Sequence, residues 1–302
     1  MNIELFAEGL EFPEGPVAMA DGSVICVEIK RGTLTRVTSD GVRHTVADLG
    51  GGPNGAAVGP DGAVYVCNNG GAWEWEPGEL HFPAGAPPVY RGGSIQRVDL
   101  ASGQVRTLYD SCDGKPLMSP NDLVFDSHGG FWFTDLGQAD GDIRRLGALY
   151  YARADGSSIT RWRGGLLSPN GVGLSPDERT VYMADCMVGR LFAFELSGPG
   201  EMLPSASPGP GHVICTLPGY QWLDSLAVED NGQVCVGTLW NGGITIFDYE
   251  GTYEFVAFPD VLTTNICFGG ADLMDAYVTC SSTGRIYRCR WPRPGLKLAY
   301  NG

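Results

Sequence analysis

Apolar and polar positions along the chain fall into short runs broken by turns, and no stretch carries a helical period of useful length. Six times a Glu, Asn or Asp opens such a run and is followed seven residues later by a turn. The openings are Glu14, Asn54, Asn121, Asn170, Asp224 and Asn265, and at offset seven stand Asp21, Asp61, His128, Asp177, Asn231 and Asp272. A strongly apolar second strand follows each turn: VICVE, AVYVCN, GFWFTD, TVYMAD, QVCVGT and DAYVTC. Such mixtures of β-branched, aromatic and small apolar residues suit strands buried between neighbouring sheets. Third strands come next (GTLTRVTS, GSIQRVDL, GALYYARA, GRLFAFEL, GGITIFDY, GRIYRCRW), and then weaker outer strands.

The openings lie 40 to 67 residues apart, a spacing that fits one four-stranded blade per unit. The pattern predicts an all-β chain, a six-bladed β-propeller, with residues 1–302 as a single domain. Only five outer strands follow a third strand. The N-terminal NIELFAEG precedes the first opening and is expected to supply the sixth, closing the ring without an open sheet edge.

Equivalent positions in a closed ring face one axis, so four amides and two carboxylates are aimed at a common channel. Glu14, Asn170 and Asp224 stand on three different blades, and no opening is a histidine or cysteine. Oxygen-only ligation favours a hard divalent cation such as Ca²⁺ or Mg²⁺ over a site built for Zn²⁺. The alternative for any single position is structural, an oxygen that bonds exposed backbone amides at a strand start. Counting along each hairpin, offset zero is expected to face offset fourteen or fifteen. That gives a second polar tier of Glu28, Asn68, Asp135, Asp185, Thr238 and Cys280 at the same mouth.

One long insertion, Asn69 to Gly93, carries Trp73, Trp75, His81, Phe82 and Tyr90 and leaves the second strand at that mouth. It reads either as a lid over a small-molecule site or as a plug in the channel. Of the four histidines, His81 is the one placed to reach a substrate; His44, His128 and His212 read as surface or turn residues. Trp222 and Trp240 belong near the mouth, where they could stack on a ring together with Trp73 and Trp75, or pack between blades. The run from Ser197 to Gly211 reads as a flexible surface connection.

Composition narrows the partners. A net charge of −15 and a sequence pI near 4.6 exclude the basic footprint that nucleic acid requires. No run of eighteen apolar residues is present to span a membrane, and the N-terminus has no basic and apolar leader. Nine cysteines without a CxxC pair, several inside apolar strands, read as buried thiols of a reduced, cytoplasmic protein. The expected partner is a small-molecule substrate, and oligomeric state is left open.

Several blocks carry a resemblance: the EGP opening, SPND with GFWFTD, SPNG with SPD and AD, DSLAVE with VGT, and TN with FGG and YVT. Spread from Glu11 to Arg288, they resemble the SMP-30/gluconolactonase family, which includes regucalcin-type and Drp35-type lactonases. The resemblance implies a propeller with one divalent cation in its channel, held by Glu14, Asn170 and Asp224. Ca²⁺ leads as the ion, with Mg²⁺, Mn²⁺, Fe²⁺ and Zn²⁺ open. Asn121 would hold the metal indirectly or position the substrate carbonyl, and Asp224 would also serve as general base or orient the attacking water. Asn54, Asp135, Trp222 and Trp240 complete the expected substrate contacts. Three departures touch the mouth: Ser119 where sugar lactonases often have Arg, Asp224-Ser225 where many have Asp-Gly, and LGQADGD after Asp135. The function so implied is hydrolysis of a small lactone or cyclic ester. Alternatives are a metal-assisted dehydratase or isomerase, or a non-catalytic metabolite- or Ca²⁺-binding propeller.

Overall fold

Polar–apolar alternation resolves into six antiparallel sheets in a computed structural model that describes residues 1–204 and 211–300, with the backbone alone at residue 140. The first blade runs Pro13–Ala18, Val24–Glu28, Thr33–Val37 and Arg43–Asp48 from the axis outward. The next four repeat this order from innermost strands Pro53–Val58, Pro120–Phe125, Pro169–Leu174 and Trp222–Val228, with the short Glu201–Met202 as a fifth strand in the blade of Pro169–Leu174. In the sixth, Thr263–Gly269, Asp275–Cys280 and Arg285–Arg290 are completed by the N-terminal Ile3–Ala7, which pairs with the last of them. Each innermost strand neighbours the next around the ring, and the sixth neighbours the first. The expected six-bladed propeller with N-terminal closure is the observed fold.

Second strands are buried on both faces because side chains alternate along them. In Val24–Glu28, Ile25 and Val27 pack against Ala56, Val58 and Val64 of blade two. Val24 and Cys26 turn the other way, onto Tyr277 and Ile286 of blade six. Six such inter-blade clusters occur, one at each junction, and each aliphatic side chain so buried contributes about 1.5–3 kcal/mol. No helix among the described residues is long and apolar enough to cross a membrane. All nine cysteines are free, seven of them buried.

The expected hairpin register is corrected by one residue. Glu28 pairs with Pro13, Asn68 with Pro53, Asp135 with Pro120 and Asp185 with Pro169. The cause is a bulge at every opening, where the ladder slips between, for example, Glu14 and Val17. The bulge lets neighbouring inner strands touch. A Cβ on Gly15 (φ +52°) would lie 2.6 Å from the backbone nitrogen of Ala56, and one on Gly171 2.6 Å from the carbonyl oxygen of Asp224. The connection expected over residues 197–211 is also revised. Arg190–Gly198 and Glu201–Met202 pair as a hairpin, and residues 205–210 lie outside the described residues.

Candidate functional site: a polar floor under an aromatic mouth

The bulges turn the opening residues toward the axis, where Glu14, Asn54, Asn121, Asn170 and Asp224 all line one cavity of about 320 Å³. The sixth opening, Asn265, is used differently: its Nδ2 donates to Glu14 Oε2 at 2.7 Å. That oxygen also accepts from the Gly15 amide, while Glu14 Oε1 is buried with no hydrogen-bond partner. Asn121 Oδ1 is likewise buried and unpartnered. Two orphaned acceptors in one protein pocket are unusual, because a buried polar atom without a partner is costly.

The electrostatics point the same way. Burial pushes the Glu14 carboxyl up to about 7, against hydrogen bonds from Asn265 and Gly15 that act to lower it. Asp224 is held well above the usual carboxylate range by burial and then by the Glu14 charge, with the Asn170 amide opposing. Directly after Asn121, Asp122 takes the place that glycine fills in blades one, two and four. Burial and the Glu14 charge raise its carboxyl to about 8, although it accepts from Leu123 and Val172 amides at 2.9 and 3.4 Å. Asp122 faces a second cavity of about 140 Å³ at the far end of the channel, lined in part by Leu296, Leu298 and Tyr300.

A divalent cation fits this donor set. Every opening residue on the floor offers oxygen, two acceptors are unspent, and among the described residues no protein cation acts on Glu14 or Asp224. Among the described residues no three His, Cys, Asp or Glu side chains converge on one point. A cation here would therefore draw on the amides of Asn170 or Asn121 besides Glu14 and Asp224.

The second tier proves to be scaffolding. Asp135 accepts from the backbone amides of Met118, Ser119 and Gly137 at 2.7, 2.8 and 2.9 Å, and it does not line the cavity. Asp185 binds the Leu167 and Ser168 amides and the Ser168 hydroxyl, Asn68 the Gly52 and Gly70 amides, and Glu28 the Glu11 amide. Each ties down the loop that feeds the innermost strand of its own blade. The expectation that Asp135 touches substrate is corrected for that reason: its oxygens are spent on backbone.

Aromatic groups form the mouth. Trp222 and Trp240 line the cavity and meet edge to face with ring centres 5.7 Å apart, and Tyr220 leans on both. The insertion folds back on itself through a bridge between Trp75 and Pro83 and lines one side of the cavity with Trp73 and Phe82. Trp75 instead packs on Phe12, 5.1 Å between centres, under the Lys30 ammonium. His81 also turns away. Its ring nitrogen lies 3.1 Å from Lys30 Nζ and its amide donates to Ser282, so it pins the insertion down.

Sequence reasoning missed Arg144 and Gln138, which reach the cavity from a small hairpin pairing Gln138–Asp140 with Ile143–Arg145. The Asp-Gly-Asp run after Asp135 was the available signal, because such a turn between short strands marks a hairpin.

A polar-floored channel through a six-bladed propeller defines a class of small-molecule enzymes and binders. Within it, the chain belongs to the SMP-30/Gluconolactonase/LRE-like family, whose description matches residues 12–282. A lactonase Drp35 of Staphylococcus saprophyticus is 25% identical over 252 residues, covering 83% of this chain and 70% of that protein. A gluconolactonase of Zymomonas mobilis is 28% identical over 204 residues, covering 61% of this chain and 51% of that one. Among solved structures, a gluconolactonase from Xanthomonas campestris superposes with a TM-score of 0.75 at 23% identity, covering 96% and 89% of the two chains. A calcium-binding regucalcin from Agrobacterium tumefaciens does so with 0.72 at 17%, covering 98% and 99%. These structural likenesses carry the fold.

Proposed function

We propose that this chain is a lactonase: a divalent-metal-dependent hydrolase that opens a small lactone or cyclic ester, with the propeller acting as a single domain. The observation that carries the reading is the pair of orphaned acceptors, Glu14 Oε1 and Asn121 Oδ1, on one cavity floor with Asp224 and Asn170. The names of the Drp35 and gluconolactonase relatives support the reaction class.

Glu14, Asn170 and Asp224 would hold the cation, with Ca²⁺ the first ion to try, and Asn121 would orient the substrate carbonyl. When bound, a divalent cation supplies Lewis-acid polarisation of that carbonyl. The chain's own residues supply the rest. With a cation beside it to offset the burial that otherwise raises it, the Asp224 carboxylate, which lines the cavity, would take a proton from a water molecule as the water oxygen attacks the carbonyl carbon. The ring C–O bond then breaks, and the proton passes to the departing alkoxide. One water is consumed and a hydroxy acid is formed, which releases a proton near neutral pH. General-base action of this kind is worth about 10²–10⁴ in rate. Trp222, Trp240 and Trp73 offer apolar faces to the ring and exclude water from the floor.

The test follows proton release from a panel of sugar and aliphatic lactones, before and after chelation. Acid release that disappears with chelator and returns with Ca²⁺ or Mg²⁺ supports the reading. Cation binding without hydrolysis of any lactone would overturn the reaction and leave only a binding site.

A further inference from the structure

Among the described residues, the cavity lining contains one cationic side chain, Arg144, and it is placed in an uncommon way. It sits on the small hairpin at the rim, half-buried, and among the described residues its guanidinium forms no ion pair with a carboxylate. Its Nε donates to the Leu167 carbonyl and its Nη2 to the Leu136 carbonyl, both at 2.9 Å. Those two bonds fix the plane of the group and leave the Nη1 hydrogens without an acceptor among the described residues. An arginine is a fork of donors with no acceptor capacity, and the two bonds to backbone carbonyls are spent on orientation. Burial lowers its proton affinity, with the nearby Asp185 charge acting in the opposite direction.

We infer that Arg144 is a specificity-determining residue, and that the substrate carries an anionic group, a carboxylate above all, received by Arg144 while its reacting carbonyl lies on the floor. The class is a lactone bearing a free acid. Charge across the cavity orients such a molecule. The Glu14 and Asp224 carboxylates offset the charge of a cation held on the floor, whereas Arg144 is the one cationic side chain among the described lining residues. The acid group is thus drawn to the rim and the neutral carbonyl reaches the floor. The identity of the reacting ring as a lactone rests on the function proposed above; recognition of the acid does not.

Binding can be measured without turnover, using ligands that have the ring and lack a lactone carbonyl. Tetrahydrofuroate and its neutral amide are such a pair, and saturation-transfer NMR with the full chain gives a Kd for each. The native protein is expected to prefer the carboxylate. Arg144→Gln should weaken the carboxylate about tenfold to a hundredfold, the usual worth of a charge-assisted bond, and leave the amide within about twofold. Arg144→Lys, which keeps the charge, should recover part of the loss. Equal binding of the two ligands by the native chain overturns the inference, as does equal weakening of both by Arg144→Gln, the mark of a merely structural part. No signal from the carboxylate at millimolar concentration also overturns it. Lactone hydrolysis with no preference for acid-bearing rings would leave the lactonase standing alone. Arg144-dependent carboxylate binding without lactone hydrolysis would do the reverse.

Discussion

Two polar tiers repeat around this propeller, one at the strand openings and one at the ends of the second strands. Both contain carboxylates and amides, and both are largely buried. Glu14 and Asp135 are 2% and 3% exposed, and both are carboxylates at repeat positions. What separates them is how far their bonding capacity is spent. Asp135 gives both oxygens to three backbone amides of its own blade. Glu14 keeps one oxygen unpartnered, and Asn121 does the same. In a repeat fold, then, burial and polarity mark where the ring needs oxygen, and the unspent lone pair marks where a ligand is due.

Substitutions should break this comparison in opposite ways. The largest effect is expected from Asp224→Asn, which keeps the shape of the floor and removes the base. Lactone turnover should fall about 10³-fold with an unchanged circular dichroism spectrum, and full activity would remove Asp224 from the mechanism. Asp135→Ala should act on stability instead. Three amides lose their acceptor, and urea unfolding should register a loss of about 3 kcal/mol, while KM of the folded fraction stays the same.

Glu14→Gln should carry the opposite sign. The amide oxygen can still accept from Gly15 and Asn265, and the buried charge is gone. Free of cation at pH 8, this variant should unfold at a higher temperature than the native chain, by the equivalent of about 1 kcal/mol. The pH dependence follows from the same groups. Glu14 moves from 4.5 to about 7 and Asp122 from 3.8 to about 8, so the cation-free folded chain binds more protons than the unfolded chain between those values. Its stability should therefore fall as pH rises from about 4 to 8, and cation binding should tighten over the same window as the ligands shed protons. A flat unfolding temperature across that range would mean that the floor carboxylates are not desolvated. The smallest effect belongs to the mouth. Trp240 is 41% exposed, and Trp240→Ala should raise KM a few-fold, about 1 kcal/mol of stacking, without touching kcat.

Much of this was legible in the chain. The six openings, the second strands and the N-terminal closure follow from a two-residue alternation that cannot slip without exposing a blade's core. Glu14, Asn54, Asn121, Asn170, Asp224, Trp222 and Trp240 were all expected at one mouth, and the structure brings them to one cavity. The register of the second tier was off by one because the bulge that turns Glu14 inward adds a residue without leaving a pattern in the apolar positions. Asp135 was misjudged for a related reason: a strand-end aspartate reads the same whether it faces a ligand or caps a loop. His81 and Trp75 were drawn away by Lys30, an interaction across 51 residues in the case of His81 that local reasoning does not reach. Arg144 escaped because it rides on a hairpin outside the repeat.

On the function proposed here, the opening tier, with its unspent oxygens, holds a divalent cation. Calorimetric titration of Ca²⁺ into chelator-treated native chain and Glu14→Gln tests it directly. One ion per chain is expected for the native protein, with Kd at least tenfold weaker in the variant, as loss of a charge-assisted ligand implies. No binding to the native chain, or equal affinity in the two, would contradict the assignment and leave the floor as a polar surface without a metal.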